Sequence, residues 1–280
     1  MKKFNFNGYL LEYFELFNNK DKNLIFIHGF GSNIEFFSKL ITKLSSNYNI
    51  YGLNMPAHGD SEYSENLMNF KMFCEIFRQF MNFLDLDNIT LIGHSLGGGI
   101  AAANLNNSYK IKKCVLIGPM NPTSLSRVNE FNECFFPRTV NEWEKLIKLC
   151  YYNPEIIIQN PEIRKRTEAY LKDYSVELDY IYQLGKDLPS STNMEIIDIG
   201  LKNFNGEIGL FFGDHDGIID LKKITSYYRS VSKNLNVYEI KKSRTFYLTW
   251  KLRGFHNKSY KFSRKIIINW CLHKCNHQFF

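Results

Sequence analysis

Ile89-Thr90-Leu91-Ile92-Gly93-His94-Ser95-Leu96-Gly97-Gly98-Gly99-Ile100-Ala101-Ala102-Ala103 is the stretch from which the rest of the chain is read. Residues 89–92 are apolar or β-branched, the composition of a short buried strand. Residues 96–103 are small or apolar, which suits a helix packed close against that strand. Between them Gly93, Ser95 and Gly97 have the spacing G-x-S-x-G. A serine on a sharp strand-to-helix turn leaves no room for side chains two residues away on either side. Glycine at both places removes the clash and lets the backbone strain. The turn then pushes the Ser95 hydroxyl out and aims the Leu96 N–H at whatever that hydroxyl attacks. The bland alternative is a glycine-rich turn inside a βαβ unit. A phosphate-binding loop fits poorly, because no lysine follows the glycines.

The segments before this stretch alternate. Gly8 to Phe17 is aromatic-rich and suits an edge strand. Asn23 to Ile27 is a short apolar strand followed by His28-Gly29-Phe30-Gly31-Ser32. Apolar residues at 34, 36, 37, 40, 41 and 44 mark one helix face, Tyr48 to Leu53 the next strand, and Leu67 to Leu84 a long amphipathic helix. On the far side, Ile111 to Ile117 reads as a strand. The pattern then breaks over residues 120–190, with helical runs at Asn141–Tyr152 and Pro161–Leu184. It resumes with a helix from Glu195 to Phe204, an apolar strand from Glu207 to Phe212, a helix from Leu221 to Val231 and a last strand from Leu235 to Ile240. Strands alternating with helices predict an α/β fold with a mostly parallel sheet covered on both faces.

Gly93-His94-Ser95-Leu96-Gly97-Gly98 resembles the nucleophile elbow of the α/β-hydrolases, in the form common among serine esterases and lipases. The resemblance extends over about residues 20–240 and implies the α/β-hydrolase fold. It implies that Ser95 is the nucleophile, with the N–H groups of Phe30 and Leu96 as oxyanion donors and His28-Gly29 shaping the first of these loops. Asn54-Met55-Pro56-Ala57-His58-Gly59-Asp60-Ser61 is similar to the family's D-x-P-G-x-G-x-S segment, with Asn54 and Ala57 as departures. Its role there is structural, so His28 and His58 read as props rather than bases. Gly213-Asp214-His215-Asp216-Gly217-Ile218-Ile219 resembles the family's acid loop, with Asp216 as the acid and Asp214 the alternative. The insertion implies a helical cap over 119–190, and Trp143, Tyr151, Tyr152 and Tyr170 are candidates to line its pocket. Core 1–118 and 191–242, cap 119–190 and tail 243–280 is the domain division that follows.

One element departs. The family's order is serine, acid, histidine, with the histidine soon after the last strand, usually as Ser-Gly-His. Here Ser243-Arg244-Thr245 stands in its place, and no histidine occurs between His215 and His256. His256 is therefore the candidate base. The alternative is that the tail from about Arg244 is read in a shifted frame: one choice of codons for Arg244-Thr245-Phe246, read one base later, places Gly-His after Ser243.

Charge points the same way. The chain of 280 residues carries a net +7, yet residues 241–280 hold ten Lys and Arg and no acid, so removing those ten leaves −3 for 1–240. The body is mildly acidic, and the overall basicity is no evidence for a nucleic-acid partner. An apolar content of 44% allows a sizeable core. Met1-Lys2-Lys3 does not lead into an apolar run, no stretch of 18 apolar residues exists, and the six cysteines are scattered. These features predict reduced thiols, no transmembrane segment and a cytoplasmic location. The tail's Cys271, His273, Cys275 and His277 lack a usual zinc spacing, so neither metal nor cofactor is expected. The function implied is hydrolysis of a small carboxylic ester through an acyl-enzyme. The alternatives are a proline-iminopeptidase-like hydrolase, or a hydrolase-fold binding protein that has lost its histidine.

Overall fold

A computed structural model describes residues 1–107 and 109–244. Eight strands form one sheet in the order β1-β2-β4-β3-β5-β6-β7-β8, where β1 is Lys2–Phe6, β2 Tyr9–Leu16, β3 Asn23–Ile27, β4 Asn49–Leu53, β5 Ile89–His94, β6 Ile111–Ile117, β7 Glu207–Gly213 and β8 Leu235–Ile240. β1 and β2 run antiparallel to each other and β2 to β4, while every other neighbouring pair is parallel. This is the α/β-hydrolase fold expected from the sequence. The expectation of an edge strand at Gly8 to Phe17 is corrected: β1 is the edge, and β2 lies inside it.

Both faces of the central parallel strands β3, β4 and β5 are buried, which is why these segments are largely apolar. Ile25 and Ile27 point into one core with α2 (Phe70–Leu84) and α3 (Leu96–Ala103). Leu24 and Phe26 point into the other with α1 (Ser38–Leu44). α2 starts where the Asn69 side chain accepts the Met72 N–H at 2.9 Å and stops at Asp85, whose φ of 44° ends the helix. It buries a stripe of Phe70, Phe73, Phe77 and Phe80.

The connections decide where a ligand can sit. β3 leads through α1 to β4 on one side, and β5 leads through α3 to β6 on the other. The chain therefore parts between β3 and β5, neighbours in register at Ile27 and Gly93. A crevice opens beyond the carboxyl ends of two such strands, and it is where ligands bind in open α/β sheets.

Between β6 and β7 the chain makes α4 (Val128–Cys134), α5 (Val140–Cys150), α6 (Glu155–Ile158), α7 (Pro161–Asp173), α8 (Ser175–Asp187) and α9 (Ser191–Lys202). The single run predicted over Pro161–Leu184 is two helices. The backbone leaves α7 at Tyr174, with φ −109° and ψ 27°, before α8 begins. α9 starts earlier than predicted because the Ser190 side chain caps the Asn193 N–H. It packs against the small-residue helix α3; a Cβ on Gly200 would lie 2.0 Å from the Ala102 carbonyl oxygen. α10 (Ile224–Val231) precedes β8.

Candidate active site

Ser95 sits at the end of β5 with φ 51° and ψ −118°, a strained conformation for a residue with a side chain. The surroundings hold it there. Ser95 N–H donates to the Ile117 carbonyl at 3.0 Å, and its own carbonyl accepts from Gly98, Gly99 and Met120. The glycines two residues away are sterically required. A Cβ on Gly93 would lie 2.4 Å from the Gly97 oxygen, and one on Gly97 would lie 2.3 Å from the Ile27 oxygen. Leu96 is the first residue of α3, so its N–H has no acceptor within its own helix.

Across the crevice, the loop after β3 makes a turn closed by Ser32 N–H to the Gly29 carbonyl at 3.2 Å. Phe30 and Gly31 are its central residues, and Gly31 has φ +62°. Phe30, Ser95 and Leu96 line one cavity of about 60 Å³ that opens to solvent. Its wall is apolar, with Met120, Val128, Phe131 and Met194 prominent, and Ile218 and Ile219 close it on the β7 side. A second cavity of about 370 Å³ lies among the inserted helices. Trp143, Tyr151 and Tyr170 line it, and it shares Phe30 and Phe135 with the first. Tyr152 instead packs edge-on against His215, ring centroids 5.0 Å apart.

Asp216 is 2% exposed. Its carboxylate accepts the Ile218 N–H at 3.1 Å and a bond from the Ile219 N–H. Burial pushes this acid up to about 7; the two backbone donors and the charges of Arg244 and Arg127 pull in the opposite direction. His215 faces outward, its side chain half exposed and its Nδ1 2.7 Å from Asp214 Oδ1. Asp214 also accepts the Ser243 N–H at 3.2 Å, while the Ser243 carbonyl accepts the His215 N–H at 3.0 Å. The chain leaving β8 is thus stitched to the acid loop, and a Cβ on Gly213 would lie 2.2 Å from the Ser243 oxygen. Arg244 follows, with its guanidinium donating to the Lys148 and Leu149 carbonyls at the end of α5. His256, the candidate base, lies outside the described residues, as do Cys271, His273, Cys275 and His277.

The histidines that are described are occupied elsewhere. His28, His58 and His94 are all buried. His28 Nδ1 lies 2.8 Å from the Gly29 carbonyl and its Nε2 accepts the Met55 N–H; His58 Nδ1 lies 2.8 Å from the Pro56 carbonyl and its Nε2 accepts the Gly31 N–H. Sequence reading treated these rings only as props. Their reach between two loops was missed, because neither motif names a partner in the other. Among the described residues no group of His, Cys, Asp and Glu is arranged to hold a metal, no helix is long and apolar enough to cross a membrane, and Cys74, Cys114, Cys134 and Cys150 are free thiols.

Residues 22–143 match the family model described as the alpha/beta hydrolase fold. A Mycoplasma pneumoniae protein named "Putative esterase/lipase 1" is 26% identical over 232 residues, covering 78% of this chain and 82% of that protein. Among solved structures, a "putative lipase" from Acinetobacter baumannii superposes with a TM-score of 0.81 at 17% identity, covering 99% of this chain and 92% of the other. An esterase from Exiguobacterium antarcticum gives 0.72 at 16%, covering 93% and 95%. At those identities the structural matches speak for the fold.

Proposed function

The chain belongs to the α/β-hydrolase superfamily and is esterase/lipase-like, and from that premise we propose that it cleaves carboxylic esters through an acyl-enzyme on Ser95. The observation that carries this reading is the strained Ser95 turn opening, together with Phe30 and Leu96, into one apolar cavity. Ser95 Oγ attacks the ester carbonyl carbon and gives its proton to a base. The carbonyl oxygen takes the negative charge and receives hydrogen bonds from the Phe30 and Leu96 N–H groups, each worth roughly 3 kcal/mol of transition-state stabilisation. Collapse of the tetrahedral intermediate expels the alcohol, which leaves with the proton from the base. Water, activated by the same base, then releases the acid and frees Ser95. Asp216 orients and charge-stabilises the base, His256, and the inserted helices of 119–190 cap the site. The apolar wall around Met120, Val128 and Phe131 suits an uncharged acyl or alkyl group.

The test is hydrolysis of p-nitrophenyl butyrate by the full chain beside Ser95→Ala. The expected result is turnover that Ser95→Ala abolishes and His256→Ala reduces by at least ~10²-fold. Turnover no greater than the Ser95→Ala control overturns the reading for this chain.

Arg244 favours a second reading. It follows Ser243 beside the acid loop, where the resemblance calls for Gly-His, and its guanidinium is tied to α5. On that reading the chain is a hydrolase-fold protein short of its base, its cavity binding an ester-like ligand without cleaving it.

A further inference from the structure

His28 and His58 lie in different loops, and each binds backbone of the other. His28 follows β3, and its Nε2 accepts the Met55 N–H of the loop after β4 at 3.0 Å. His58 lies in that second loop, and its Nε2 accepts the Gly31 N–H of the first at 3.1 Å. The opposite nitrogens face carbonyl oxygens, Gly29 for His28 and Pro56 for His58, both at 2.8 Å. A carbonyl only accepts, so Nδ1 carries the proton in both rings and Nε2 is the acceptor. Each imidazole is a neutral Nδ1–H tautomer with both nitrogens engaged. The rings lie 4.7 Å apart between centroids.

We infer that this reciprocal pair is a clasp that positions the Phe30 amide over the Ser95 cavity, with His28 and His58 as positioning residues. The inference rests on the reading of Phe30 N–H as an oxyanion donor. Phe30 lies between the two clasped points, after His28 and before Gly31. The Gly29–Ser32 turn orients its N–H, but a four-residue turn alone can rock about its ends. The Gly31 bond to His58 stops that motion, and a third tie supports it: the Ile34 N–H donates to Asn54 Oδ1 at 2.8 Å. Asn54 is itself fixed by donating to Glu12 Oε2 at 2.6 Å, an oxygen that also accepts the Asp60 N–H. An aspartate at 54 could accept from Ile34 but would set its charge against Glu12. The departure from the family pattern thus fits the neighbour that β2 supplies.

The clasp requires uncharged rings, because a proton on Nε2 removes the acceptor. Burial supplies that condition, holding His28 well below its ordinary value and His58 near 4. The proximity of His58 and of His94 lowers His28 further. The titratable groups facing the pair are His94, behind Gly29, and Glu12, beyond Asn54; the Phe73 ring covers His58 on α2.

The experiment has an arm independent of turnover. Long-range ¹H–¹⁵N spectra of the full chain labelled in histidine should show two neutral Nδ1–H imidazoles that do not titrate between pH 5.5 and 8, and both assignments should be lost selectively in His28→Gln and His58→Gln. An Nε2–H tautomer, or titration near 6.5, overturns the clasp. The second arm is kinetic. With p-nitrophenyl acetate, His58→Ala should lower kcat about 10–100-fold with KM little changed, and His58→Gln, which keeps an acceptor, should recover part of it. Unchanged kcat, or a loss confined to KM, overturns the positioning role. A parent chain without turnover sinks the ester-hydrolase reading alone. The clasp is then judged on the tautomers and on faster hydrogen exchange of the Gly31 amide in His58→Gln; unchanged exchange counts against it.

Discussion

On the β3–β5 side of Ser95, the crevice is made of backbone held by neighbours one strand away: Gly31 by His58, Met55 by His28, Ser95 by Ile117. On the β7–β8 side, a carboxyl group buried to 2% exposure waits beside a chain segment that ends, among the described residues, at Arg244. The first side is complete in itself. The second depends on a residue beyond the sheet. On the proposed function, Ser95 and the two oxyanion donors are fixed by local sterics, whereas the proton-transfer half is only as good as the segment that follows β8.

The largest effect should come from the first side. Gly97→Val sets a side chain against the Ile27 and His28 carbonyls, backbone that cannot move without separating β3 from β5. It should cost more than about 4 kcal/mol of unfolding free energy or leave no folded protein, as read by urea denaturation and circular dichroism. A fold that tolerates valine there would show that the elbow is not as tight as described.

The second side can be tested by completing it. If the chain lacks its base, replacing Arg244 and Thr245 together by Gly and His (R244G with T245H) should raise p-nitrophenyl butyrate hydrolysis by roughly 10²–10⁴-fold, the usual contribution of a positioned base. If His256 already serves, the double change should instead leave the rate level or lower it, and His256→Ala should be the damaging variant. Sequencing the gene across the Ser243 codon decides directly between a genuine and a frame-shifted tail.

Asp216 gives a prediction of opposite sign on stability. Its carboxyl ionises at about 3.8 in the unfolded chain but at about 7 in the fold, so the folded state holds the extra proton between those values. Stability from this group is present below 3.8 and lost as pH rises to 7. Asp216→Asn should therefore be the more stable form at pH 8, by up to about 4 kcal/mol, with the advantage fading toward pH 4. Should an imidazolium from the tail already meet the carboxylate, the substitution would destabilise at pH 8, and the contrast between the two sides would close.

The smallest effect belongs to the clasp. His58 titrates at about 6.5 when unfolded and about 4 when folded, so the unfolded chain binds more protons between them. Its stabilising contribution is complete above 6.5 and falls by about 3 kcal/mol as pH drops to 4. Urea midpoints from pH 7 to 4 should fall less steeply in His58→Gln; parallel slopes would remove His58 from the acid response.

What could be read from the sequence follows the same divide. Gly93, Ser95 and Gly97 are legible because their pattern lies within five residues, although the space Gly97 keeps is for the distant Ile27 carbonyl. The central parallel strands β3, β4 and β5 are legible because burial of both faces makes them largely apolar. Lys2–Phe6 was missed as the edge strand because one face is solvated and it begins with two lysines. The break at Tyr174 left no glycine or proline to mark it. Ala57 adopts φ 62°, the conformation for which the resembling segment keeps glycine, so the departure in sequence was not one in backbone. The histidine clasp joins residues about thirty positions apart through backbone atoms, and side-chain motifs do not display such partners.

Covalent labelling tests whether Ser95 is the nucleophile. The parent chain, the R244G/T245H double variant, and each of these combined with Ser95→Ala should be incubated with a fluorophosphonate and mapped by peptide mass. One adduct is expected, on Ser95, in at least the double variant, and none wherever Ser95 is replaced by alanine. Folded protein with no Ser95 adduct in either form, or an adduct that survives Ser95→Ala, would contradict that assignment.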